Sequence, residues 1–141
     1  MTGSQIDDAT IQAYLETDYR VSGESPFTLQ VGVRSESLAD AHANHGCLCS
    51  AFLTAANPFS QTIDDATNGA RQDALKRELA RRGLPFLDGI GTHPSNGWPG
   101  EPSVLVLGIS CDDAKELGAR FEQNAIVWSG ADARPQLILL R

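Results

Sequence analysis

The apolar positions of this chain follow two rhythms, and the places where the rhythm changes outline its elements. Ala51 to Ala56 is a nearly unbroken apolar run, AFLTAA, which suits a strand buried on both faces. It stops at Asn57-Pro58, where proline removes a backbone donor and fixes φ. Thr62 then serves as the N-cap of a helix, with Asp64 and Asp65 in the first turn and Lys76, Arg77, Arg81 and Arg82 toward the end. Gly83 and Pro85 stop it. Counting back from Leu79 and Leu75 by helical steps reaches Arg71 or Gln72 and then Asn68, so the apolar stripe turns polar toward the helix start.

The remaining elements flank this strand and helix. Ile6 to Tyr19 has the spacing of an amphipathic helix that packs Ile11, Tyr14, Leu15 and Tyr19. Phe27 to Val33 alternates as a half-buried strand, and Ser35 or Ser37 opens a helix that ends at Gly46. Leu84 to Leu87 reads as a short strand, followed by a glycine- and proline-rich loop from Asp88 to Pro102, DGIGTHPSNGWPGEP. Val104 to Ile109 is the second strongly apolar strand and an expected neighbour of the first. Ser110 with Asp113 opens a helix whose inner face carries Leu117 and Phe121, and Gly118 permits its close approach to the sheet. Asn124 to Trp128 and Gln136 to Leu140 form a hairpin around Gly130 to Pro135. The succession β, α, β, α predicts an α/β or α+β fold. The expectation is one domain over residues 1–141, with a mixed sheet of five to six strands, about four covering helices and a C-terminal β-hairpin.

Composition narrows the function classes. A length of 141 residues fits one core, and a hydrophobic fraction of 41% is too high for disorder. The net charge of −7 and the pI near 4.8 disfavour nucleic acid, whose backbone is bound by clustered Lys and Arg. No apolar run is long enough to span a membrane, and MTGSQIDDA lacks the regions of a secretory signal, so a cytoplasmic location is expected. Cys47, Cys49 and Cys111 do not make a disulfide framework. His42, His45, Cys47 and Cys49 have ligand types suited to zinc, but their H-x-x-H-x-C-x-C spacing is tighter than that of structural zinc sites. The alternative is two histidines at a helix end beside small buried cysteines. No metal is assigned, and the cofactor is left unknown.

Candidate chemistry gathers in two polar segments. In open α/β sheets, ligands sit outside the carboxyl ends of strands, near helix N-termini whose free N–H groups favour anions. Thr54, Asn57, Ser60, Asn68 and Arg71 would then converge on one anionic or strongly polar group. Alternatively, Asn57 and Ser60 shape the turn while Asn68 and Arg71 reach solvent or pair with Asp64 or Asp65. The long loop adds His93, Asn96, Trp98 and Glu101, residue types used for proton transfer and stacking. The plainer alternative is a connection between strands, with Trp98 folded onto the core and His93 exposed. No nucleophile stands out, since Ser103 lacks the glycine pattern of a nucleophile elbow.

Three segments, TAANPFSQ with Asn68 downstream, WPGEPSVLVLGIS and FEQNAIVW, together resemble a bacterial family, domain-of-unknown-function family 3293. The likeness runs from about Tyr14 to Trp128. The positions that match are Thr54, Asn57, Pro58, Ser60, Asn68, Glu101, Ser103 and Gln123. The resemblance implies a small bacterial protein and supplies no reaction. The leading expectation is a pocket for a small polar or anionic ligand. In an enzymatic form, Glu101 acts as general acid or base, Asn68, Arg71 and Gln123 orient the substrate, and Trp98 covers it. The alternative is a non-catalytic interaction or regulatory module that meets a basic partner through its acidic surface, with Trp98 and Trp128 as anchors.

Overall fold

The computed structural model describes residues 6–94 and 100–141. In chain order, the elements are α1 (Asp8–Glu16), β1 (Asp18–Val21), β2 (Phe27–Leu29), α2 (Glu36–Asn44), β3 (Ser50–Leu53), α3 (Asp65–Arg81), β4 (Phe86–Thr92), β5 (Glu101–Leu107), α4 (Cys111–Arg120), β6 (Ala125–Ser129) and β7 (Gln136–Leu139), with a single 3₁₀ turn at Pro58–Ser60. The seven strands form one sheet in the order β2-β1-β4-β5-β3-β6-β7, and every pairing is antiparallel. The fold is therefore α+β. Five to six strands in a mixed sheet were expected, and the structure corrects both the number and the direction.

The reason lies in the connections. Strands β3 and β4 both run antiparallel to β5, so they are parallel to each other with β5 inserted between them. By the same token, β5 and β6 are parallel, with β3 between. Each β-α-β unit keeps the parallel sense that a helical crossover implies but is split by a strand of the other, which is the ferredoxin-like arrangement. The expected adjacency of β3 and β5 holds, as does the terminal hairpin of β6 and β7.

Local chemistry sets the boundaries. Each of the four helices opens on a side-chain cap: Asp7 accepts from the Thr10 amide, Ser35 from Leu38, Asp64 from Thr67 and Ser110 from Asp113. Asp64, not Thr62, caps α3, because its carboxylate reaches the Thr67 N–H at 2.9 Å. The first helix is shorter than its periodicity suggested. Thr17 is extended, and Tyr19 belongs to β1, buried by pairing with β2 and β4. Strand β2 ends at Leu29 because the backbone turns through Gly32, at φ +85°. Strand β4 starts two residues later than expected and runs on through Asp88–Thr92, a stretch that its glycines made look like loop.

The sheet has two differently filled faces. On one, Ala51, Leu53, Val104, Val106 and Ile126 pack under Leu75 and Leu79 of α3 and Ala114 and Leu117 of α4. Gly118 lets α4 settle there, since a Cβ would come within 2.7 Å of the Ile126 side chain. On the other face, Tyr19, Val21, Leu29, Phe52, Leu105, Leu107 and Val127 pack with Leu38 and Ala41 of α2. No described helix is long and apolar enough to cross a membrane.

Candidate functional site

The second face is only partly covered, and a cavity of about 260 Å³ remains there, with Tyr14 of α1 in its wall. Side-chain size explains it. Strand alternation places Gly89, Gly91, Ser103 and Ala125 on the same face as Leu87, Leu105 and Val127, so bulk falls away toward one end of the sheet. The Phe52 ring lies over Gly89, where a Cβ would meet it at 2.8 Å. Gly91 stays uncovered, and its imagined Cβ finds nothing closer than Thr17 at 3.7 Å.

At this open end stands Glu101. Its side chain opens into the cavity, and burial pushes its carboxyl above the usual carboxylate range, opposed only by a hydrogen bond from Asn57. Asn57 Nδ2 donates to Oε2 at 3.0 Å, and Oε1 has no hydrogen-bond partner among the described residues. The amide cannot be the other way round. Asn57 Oδ1 accepts from the Ile63 N–H at 3.2 Å and from Asn68 Nδ2 at 2.8 Å, while Asn68 Oδ1 accepts from the Asn57 N–H at 2.8 Å. Two main-chain donors thus fix the orientation of both amides and leave one N–H aimed at Glu101. Asn57, Phe59 and Ser60 all have positive φ, 48°, 52° and 60°, a departure that costs on the order of 1 kcal/mol each. This bent turn brings Asn57 and Ser60 to the cavity.

The opposite wall comes from α1 and β1. The hydroxyls of Tyr14 and Ser60 share a hydrogen bond, and Asn124 Nδ2 donates to Tyr14 at 3.1 Å and to Ser60 at 3.3 Å. Tyr19 donates to the Tyr14 carbonyl at 2.7 Å, and burial raises its phenol above the usual range. His93 Nε2 lies 2.9 Å from Glu16 Oε1, which ties α1 to the end of β4. The hydrogen bonds that Glu16 accepts, first from Gln12 and then from His93, lower its carboxyl.

Most of the residues singled out from the sequence meet here: Thr54, Asn57, Ser60, His93, Glu101, Ser103 and Gln123 line the cavity. Asn68 does not line it but holds Asn57. Arg71 is elsewhere, since its guanidinium donates to the carbonyls of Ala55 and Phe121, both at 2.6 Å, and pairs with Glu122 at 3.3 Å. The anion site expected around Arg71 therefore does not form, and no Lys or Arg is among the described lining residues. Trp98 and Asn96 lie outside the described residues. Trp128 donates to the Ile109 carbonyl at 3.1 Å and packs on the core, so it is not an exposed anchor. Tyr14, Thr17, Tyr19, Phe52 and Gly91 were not foreseen as lining. The tyrosines read as packing residues, and the glycine as loop.

The histidine and cysteine cluster is dispersed. His42 is buried, which lowers its pKa, with Nε2 2.8 Å from Ser50 Oγ, and His45 Nδ1 lies 2.9 Å from the Ala41 carbonyl. Cys49 donates to the Ile109 carbonyl at 3.1 Å. Among the described residues, no three His, Cys, Asp or Glu side chains converge as metal ligands would.

No curated protein and no solved structure matches the chain. A family model described as "Protein of unknown function (DUF3293)" matches residues 53–126, from the end of β3 to the start of β6. That stretch covers more than half of the chain and carries Asn57, Asn68 and Glu101, and the chain belongs to this family.

Proposed function

We propose that this chain binds a small molecule in the cavity beside Glu101 and that Glu101 exchanges a proton or a hydrogen bond with it. The observation that carries the reading is a partly desolvated carboxyl held at one oxygen by a fixed amide and open at the other. An ionised carboxylate in a hollow with no Lys or Arg among its described lining residues is unfavourable, whereas cores are ordinarily filled with hydrocarbon. Such groups cluster at sites of binding and acid/base chemistry. In a catalytic version, Glu101 is the general acid or base, Asn57 and Asn68 set its position, and the Tyr14–Ser60 pair supplies a second polar contact. A bacterial cytoplasm, where the three free thiols persist, is the setting we infer. The interaction-module alternative loses the Trp128 anchor and gains no observation of its own.

A thermal-shift panel of small metabolites tests the reading on two proteins, the wild type and Gly91→Val. A ligand of the cavity raises the melting temperature of the wild type and not of the variant, whose added side chain fills the open end without requiring a strained φ. A compound that stabilises both equally binds elsewhere, and a set of such compounds with no cavity ligand overturns the reading.

A further inference from the structure

We propose that the cavity selects a ligand bearing a protonated amine, seated against Glu101, with an apolar body lying on Phe52 and Val127. This rests on the cavity being a ligand site and adds the sign of the charge it takes. Among the described lining residues, Glu101 is the only carboxyl, and there is no Lys or Arg. Two arginines that contact residues beside the cavity are engaged: Arg71 with backbone carbonyls and Glu122, and Arg141 with Asn124 Oδ1 at 3.1 Å and the Phe59 ring at 4.1 Å. His93 faces Glu16. An anion entering the cavity would meet the Glu101 carboxyl with no Lys or Arg among the described lining residues to offset it.

The neutral polar groups point the same way. Four lining hydroxyls direct their protons to main-chain carbonyls: Thr17 to Ala13 at 2.7 Å, Tyr19 to Tyr14 at 2.7 Å, Thr54 to Pro102 at 2.7 Å and Ser103 to Glu101 at 2.9 Å. A hydroxyl that has given its proton offers only lone pairs. The amide donors are engaged too, Asn57 with Glu101 and Gln123 with the carbonyls of Ala56 and Phe121. Among the described lining residues, only the Tyr14–Ser60 pair and Thr62 keep a hydroxyl proton to give. The walls add the aromatic rings of Tyr19 and Phe52, which meet edge to face with centroids 5.2 Å apart and attract a cation through their π faces. A site with one carboxyl, several acceptors and π faces complements a group that is all donors, and an ammonium is such a group.

Three probes of similar shape separate charge from fit: phenethylamine, phenethyl alcohol and phenylacetate, titrated into the full chain while amide NMR signals of Gly91, Ser103 and Val127 are followed. The amine should shift these signals and bind about tenfold or more tightly than the alcohol, with phenylacetate weakest. Glu101→Gln should bring the amine to the level of the alcohol. If the alcohol or the acid perturbs these amides and binds as tightly as the amine, or if the preference survives Glu101→Gln, the charge assignment fails while the cavity reading stands. If none of the three perturbs them, both fall.

Discussion

Two glutamates on opposite faces of one sheet show how differently this fold treats a carboxylate. Glu78, on α3, is surrounded by arginines: Arg81 Nε donates to Oε1 at 3.1 Å, Arg82 Nε to Oε2 at 2.7 Å, and Arg120 lies 3.4 Å away. Hydrogen bonds from Arg81 and then Arg82 hold its carboxyl down to about 2. Glu101, at the start of β5, has one amide and no cationic partner among the described residues, and burial drives its carboxyl up. The first arrangement joins α3 to α4, and the second leaves a carboxyl among the residues that line the cavity. Compensation fits a structural role for Glu78, and its absence is what motivates the proposal for Glu101.

The largest effect is expected on the filled face. Leu79→Ala, at a fully buried position above Ala51 and Val106, should cost about 2–5 kcal/mol in urea unfolding while leaving the cavity amides in place. If it erased the cavity signals at temperatures where the protein stays folded, the two faces would not be separable. Glu78→Gln should come next, lowering the melting temperature by a smaller amount, because Arg81 is mostly solvent-exposed and only Arg82 is well covered. Its pH dependence has a definite sign. A carboxyl depressed to about 2 adds stability that is fully present above 4.5 and lost as the pH falls toward 2. Wild-type stability should decline across that window, and the Glu78→Gln curve should be flatter there.

Asn57→Gly sharpens the comparison from the other side. Glycine keeps the left-handed backbone at φ 48° but removes the amide, so the stability loss should be about 1 kcal/mol from the missing hydrogen bonds. The Glu101 carboxyl should rise further, since its only opposing contact is gone. Glu101→Gln should have the smallest effect, within about 1 kcal/mol of wild type, because its amide oxygen still accepts from Asn57. A carboxyl raised above 4.5 favours the folded state fully below that pH and loses the contribution as the pH climbs through the raised value. Chemical denaturation along a pH series should therefore show the wild type falling relative to Glu101→Gln in that upper window.

Much of this was legible in the chain because it rests on local chemistry. The α3 helix, the apolar strands β3 and β5 with their adjacency, and the gathering of the Asn57 turn with Glu101 follow from periodicity and turn residues. What escaped depends on pairing partners. Asp18–Val21 is four residues long and carries two charges, so nothing local marks it as a strand until β4 lies beside it. Gly89 and Gly91 looked like loop for the same reason: pairing with β1 and β5 holds both in the strand, and the Phe52 ring covers Gly89 alone. The polar stripe on α3 was visible, but its division was not. Asn68 reaches toward the cavity through Asn57, and Arg71, three residues on, is drawn away by the carbonyls of Ala55 and of Phe121 at the end of α4.

The central claim is that the cavity carboxyl is uncompensated. The most direct measurement is an NMR titration of the side-chain carboxyl carbons of Glu101 and Glu78 in the same ligand-free sample. The expected midpoint is above 4.5 for Glu101 and near 2 for Glu78. A Glu101 midpoint at or below 4.5 would contradict it, because the group would then be met by solvent or by a positive charge, and the two glutamates would no longer differ in kind.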